Sequence, residues 1–326
     1  MVRTKPTVDF EVIAKAVGLA CRAPSLHNSQ PWHWVASRTA VDLYADPHRV
    51  VRSADSWGRE ALIGCGLALD HFRVAMAAAG WNTTVEQFPE PDKPDHLATI
   101  TLTPLDFVTP EWRDRADAIL RRRTDRLPFR APAESLERVL RNSISGLATL
   151  DVLADDMHPQ LAEVARLTES IRSDDDLYHH ELQWWTTPFR LSEGVPPSAL
   201  ISDSERHRVA VNRNFRLSGN LDRRGATPRD QAKIVVLSTP ADTREDAFNC
   251  GQVLSKLLLD CTMAGMATAT MTHVTEMEAS RDVVRRLTAR NAVPQVLIRV
   301  GIAPSIEDIP APTPRRSMRD VLEIRR

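Results

Sequence analysis

Two stretches of this chain are versions of one another. When Cys65-Gly66 is laid on Cys250-Gly251, Gly80 falls on Gly265, Arg59 on Arg244 and Glu60 on Glu245. Leu69 then meets Leu254, Ala79 meets Ala264 and Thr83 meets Thr268. The Ala and Leu matches weigh little, because any two apolar helices share them. The Cys-Gly pair weighs more. Glycine costs about 1 kcal/mol inside a helix relative to alanine, so its presence there implies close packing or close approach of a ligand. A strand pattern follows the helix in both copies. The expected fold is α+β, with two copies of one unit packed about a pseudo-two-fold axis, as a symmetric homodimer would be.

The length, 326 residues, suits two such units. We assign residues 1–110 to the first and 111–326 to the second, with the long connection Tyr178 to Asp230 as an insertion. A net charge of −1 leaves no electrostatic footprint for nucleic acid or an anionic membrane. The four cysteines lie far apart with no CxxC pair, which suggests neither a zinc site nor a disulfide framework but reduced, buried thiols in a cytoplasmic protein. Glu11 and Lys15 interrupt the N-terminal apolar run, so residues 8–21 read as an amphipathic helix rather than a signal peptide. No window is expected to reach the apolar run a membrane span needs. No P-loop, HExxH or GxSxG motif is present.

Three segments carry the chemistry. The stretch RAPSLHNSQPWHW, Arg22 to Trp34, sets hydroxyls and amides just ahead of an aromatic strand. The stretch LRRRTDRLPF, Leu120 to Phe129, concentrates guanidiniums, whose planar forks suit phosphate. The C-terminal PQVLIRVGIAPSIEDIPAPTPRRSMRDVL runs from an apolar strand into a basic tail.

Together these segments resemble the FMN-dependent nitroreductase superfamily. ACRAPSLHNSQPW is similar to its ARxAPSxxNxQPW segment, RRTDRLPF to its RRSxRxF segment and the basic tail to its PRRPLEEV. The arrangement resembles the actinobacterial Acg-type subgroup, in which two nitroreductase-like units are fused. The resemblance implies a nitroreductase-like fold and one FMN per chain, because each motif occurs once and the two lie in opposite units. It also implies a monomer that mimics a homodimer. Arg122, Arg123, Thr124 and Arg126 would hold the phosphate end with Arg315 from the tail. Pro24, Ser25, Leu26 and Asn28 would line the flavin. Thr272 and His273 stand where the family places groups beside the reactive flavin nitrogen. Trp32 and Trp34 are assigned to packing.

The insertion contains YHHELQWWTTPF. Its aromatics Trp184, Trp185 and Phe189 either pack a helix onto the second unit or form a lid over the flavin face. The lid would make the protein a holder of FMN with weak or no NAD(P)H-dependent turnover. The alternative is an NAD(P)H-dependent oxidoreductase that reduces nitroaromatics or quinones.

Overall fold

The computed structural model describes residues 7–143, 146–187, 192–213, 215, 222–224, 229–306 and 311–325. Helix α1 (Phe10–Ala20) starts where Asp9 accepts the Glu11 amide, and it buries Ile13, Ala16, Val17 and Ala20. A hairpin follows as β1 (Trp32–Ala36) and β2 (Val41–Ala45), paired antiparallel. The central helix α2 (Arg59–Ala78) ends at Gly80, whose φ of 88° opens β3 (Trp81–Gln87), and β4 (His96–Pro104) pairs back on it.

After β4 come α3 (Pro110–Arg121), α4 (Leu136–Ser143) and β5 (Thr149–Val152). Helices α5 (His158–Arg172), α6 (Asp176–Thr186) and α7 (Asp203–Arg206) intervene before β6 (Lys233–Thr239). Then come α8 (Arg244–Met263), β7 (Ala267–Met271), α9 (Glu278–Thr288) and β8 (Val293–Gly301). The tail adds α10 (Met318–Val321) and β9 (Leu322–Ile324).

The first sheet runs β3-β4-β2-β1-β9 and the second runs β5-β6-β8-β7. Once α2 is matched to α8, β3 matches β7, β4 matches β8, β2 matches β6 and β1 matches β5. The two sheets share one strand order, and those strands are antiparallel throughout. Helices α5–α7 lie between β5 and β6, where the first copy has only the tight turn closed by Ser37 N donating to Ala40 O. Strand β9 joins β1 in parallel, so the C-terminus completes the first unit's sheet.

The repeated glycines explain the contact between the copies. A Cβ on Gly66 would lie 2.0 Å from the Phe248 carbonyl oxygen, and one on Gly251 would lie 2.1 Å from the Ile63 carbonyl oxygen. Ile63 and Phe248 are themselves repeat partners. Helices α2 and α8 therefore cross at the two glycines with mirrored contacts, closer than any side chain allows. The surrounding core merges both units: Trp32, Trp34, Phe72 and Phe248 are fully buried in one cluster. All four cysteines are buried and free.

One expectation fails here. Helix α2 is apolar and long enough to cross a membrane by length and composition. It carries that composition because most of it is buried inside the protein, and a helix packed on all sides is apolar on all sides.

Candidate functional site

The segment after α1 is bent by three non-glycine residues in the left-handed region: His27 (φ 50°), Asn28 (φ 57°) and Gln30 (φ 52°). Such conformations are uncommon and need outside support. Ser25 Oγ accepts the Gln30 amide at 2.9 Å. The Asn28 side-chain amide donates to the Gly194 and Pro314 carbonyls, both at 3.0 Å. Gln30 donates to Ser192 O at 2.9 Å and accepts the Arg316 amide at 2.9 Å. The amide row thus clips the insertion and the tail onto the first unit.

Those clips frame a cavity of about 420 Å³, walled by both units. Residues 22–28 come from the first unit and 122–127 from the segment after α3. Thr124 pairs with Thr268 at the start of β7, and the Asp125 amide donates to Thr268 O at 3.0 Å. The insertion contributes Val195, Ala199, Arg223 and Arg224, and the tail contributes Arg315.

One end of the cavity is cationic. Arg22, Arg122 and Arg315 converge there, and among the described residues none of the three has an ion pair with a carboxylate. Arg122 and Arg315 donate to main-chain carbonyls, including that of Arg22. The Nε atoms of Arg22 and Arg122 are buried without a partner. Burial, with Arg22 beside it, lowers Arg122 to about 10. Burial, with Arg22 and Arg122 adding, lowers Arg315 to about 9. Like charges gathered in low dielectric call for an anion.

A smaller cavity of about 100 Å³ continues from the large one, and Pro24, Ser25, His27, Thr124 and Arg126 border both. Its floor holds Glu60, Arg213, Thr272 and His273. Burial, then Arg213 and Arg126, hold His27 well below the usual histidine range, and burial with Arg213 takes His273 down to about 3. Both imidazoles are neutral near pH 7.

No protein-family model matches the chain. Over 321 residues it is 52% identical to an uncharacterized protein of Mycobacterium tuberculosis (strain ATCC 25618 / H37Rv), spanning 96% of this chain and 93% of that one. It is equally 52% identical over 321 residues to the "Putative NAD(P)H nitroreductase acg" of the same strain, spanning 98% and 97%. The chain belongs to the Acg-type nitroreductase-like family. Among solved structures, a nitroreductase with bound FMN from Desulfitobacterium hafniense overlaps it at a TM-score of 0.37 and 11% identity, over 61% of this chain and 94% of that one. A nitroreductase-like protein from Anabaena variabilis overlaps at 0.44 and 9%, over 90% and 73%.

In this Acg-type chain the structure gathers most of the residues expected from sequence. Pro24, Ser25, Asn28, Arg122, Arg123, Thr124, Arg126 and Arg315 border the large cavity, and Leu26, Thr272 and His273 border the small one. Arg126 does not join Arg122. It lies at the waist between the cavities, its guanidinium 5.6 Å from the Phe215 ring. Of the residues expected in a lid, Trp184 is 55% exposed, and Trp185 packs in a cluster with Tyr178 and Leu182 and with Val195 and Phe215, which wall the two cavities that neither tryptophan itself borders. Phe189 lies outside the described residues. Sequence reasoning missed Arg22, His27, Glu60 and Arg213. Arg22 and His27 sat inside the quoted motif, and Glu60 sat inside the repeat.

Proposed function

We propose that this protein binds FMN in the large cavity and acts as an NAD(P)H-dependent oxidoreductase. The cluster of Arg22, Arg122 and Arg315 carries the reading. A dianionic phosphate would supply the acceptors that the two orphaned Nε atoms lack. A cavity of about 420 Å³ falls in the usual range for a cofactor of this size.

FMN, when bound, supplies a two-electron carrier. The chain's own residues would position it. Arg22, Arg122 and Arg315 hold the phosphate, and the Thr124 and Ser25 hydroxyls line the path from there to the waist. Arg126, a buried cation without an ion pair among the described residues, stabilises negative charge at the ring's polar edge. The name of the 52%-identical relative from M. tuberculosis, an NAD(P)H nitroreductase, supports turnover rather than storage.

A second reading has its own observation. The insertion walls the large cavity through Val195, Ala199, Arg223 and Arg224, which suits a holder of FMN that excludes nicotinamide. Anaerobic addition of NADPH to the flavin-loaded protein separates the two. Bleaching of the flavin band supports the oxidoreductase, and a stable oxidised spectrum supports the holder.

A further inference from the structure

Three buried acids share two guanidiniums behind the small cavity. Asp55, Glu60 and Glu276 are the acids, and Arg59 and Arg213 are the bases. Ionised throughout, the group would carry one uncompensated negative charge in low dielectric, so one proton relieves it. Glu276 pairs with Arg213. Asp55 accepts the Glu60 and Ala61 amides at 3.1 and 2.9 Å, at the start of α2. Burial raises Asp55, but those two amides oppose the rise. Among the described residues, the Glu60 carboxylate accepts only from Arg59 Nη2, at 3.0 Å. Arg59 also donates to Gln295 O, Gln295 Oε1 and Thr275 O, so its charge is shared among neutral acceptors. Burial therefore prevails over Arg59 and Arg213, Glu276 and Asp55 add to it, and Glu60 is pushed up to about 8. Most of its molecules carry the proton at pH 7.

Position gives that proton a use. Glu60 borders the small cavity beside Arg213, Thr272 and His273. The neutral His27 and His273 cannot serve as imidazolium acids there. Glu245, the repeat partner of Glu60, is exposed at the matching turn of α8. Burying the carboxylate in one copy alone, against the copy that faces a cavity, marks Glu60 as part of the site.

We propose that Glu60 is the acid that protonates the oxygen of an electron acceptor seated in the small cavity. The inference rests on the oxidoreductase reading. A quinone accepts a hydride, which NAD(P)H supplies by way of the flavin, and one proton. The Glu60 O–H bond breaks and the acceptor's O–H bond forms. The carboxylate left behind is held by Arg59 and regains its proton from water.

The test uses flavin-loaded protein reduced beforehand with dithionite, so that it does not depend on NAD(P)H. Menadione, which takes up protons, and ferricyanide, which takes up none, are mixed with the wild type, Glu60→Gln and Glu245→Gln. Glu60→Gln is expected to slow reoxidation by menadione about 100-fold or more, with ferricyanide rates and the Glu245→Gln variant unchanged. The wild-type menadione rate falls as pH rises through about 8, and Glu60→Gln loses that dependence. Infrared titration of the protein without acceptor is an independent readout. A carboxylic acid C=O band is expected in the wild type at pH 7, fading through the same pH range and missing in Glu60→Gln. Equal menadione rates in wild type and Glu60→Gln, or a band that survives the substitution, would overturn the proposal. Failure of NADPH to reduce the flavin would count only against the oxidoreductase reading.

Discussion

The two long helices agree in the middle and differ at the start. At their crossing, Gly66 and Gly251 meet with mirrored contacts, and a little further along Ser255 Oγ donates to its repeat partner Asp70 at 2.6 Å. At their N-termini the same Arg-Glu pair has opposite surroundings. Arg59 and Glu60 are each 4% exposed, whereas Arg244 and Glu245 lie in solvent. Packing of one copy on the other fixes the crossing, because a change on either side meets backbone. The helix ends carry no such constraint, and there one copy builds a site while the other stays at the surface.

The largest effect should come from breaking the symmetric part. Gly66→Ala and Gly251→Ala each drive a methyl group into a carbonyl oxygen of the partner helix. Each should cost about 3 kcal/mol or more, beyond any gain in helix propensity. Urea unfolding should show similar losses for the two. A large loss for one and none for the other would break the mirrored packing.

The next effect belongs to the asymmetric part. Arg122→Ala and Arg315→Ala should each weaken FMN about ten-fold or more, from loss of a charge-assisted contact of about 1.5–3 kcal/mol. Fluorescence titration of FMN into the stripped protein measures this, with unfolding midpoints expected to stay near the wild type. Unchanged affinity in both variants would remove the cation cluster from the site.

A smaller, paired effect sharpens the symmetry. Gly80 and Gly265 both end their helices in the left-handed region, at φ 88° and 74°, and neither faces a clash. Alanine at either should cost about 1–2 kcal/mol from backbone strain alone. Thermal melts that separate the two variants widely would show that the helix ends differ more than their backbones do.

Much of this was legible in the sequence, for reasons that vary by region. The helix crossing announced itself because a mid-helix glycine is costly and appeared twice. The cavity's rim was legible because guanidiniums and hydroxyls cluster in short segments. Glu60 was seen only as half of a repeat match, since burial belongs to tertiary structure and its counterpart Glu245 has the same sequence context. Strand β9 went unread: three residues inside a basic tail carry no periodicity, and pairing with β1 alone makes them a strand. The insertion read as one long connection, and α6 at its start was foreseen only as a helix that its tryptophans would pack.

The exposed Trp184 of α6 should give the smallest effect. Trp184→Ala removes an exposed ring and should change stability by no more than about 0.5 kcal/mol. Urea unfolding checks it, and a loss above about 2 kcal/mol at Trp184 would mean that the ring is buried rather than exposed.

The central claim is that two similar units build one flavin site between them. Equilibrium dialysis of the stripped protein against FMN and, separately, riboflavin tests it most directly. The account predicts one FMN per chain and much weaker binding of riboflavin, which lacks the phosphate. Two FMN per chain, or equal affinity for the two flavins, would contradict it.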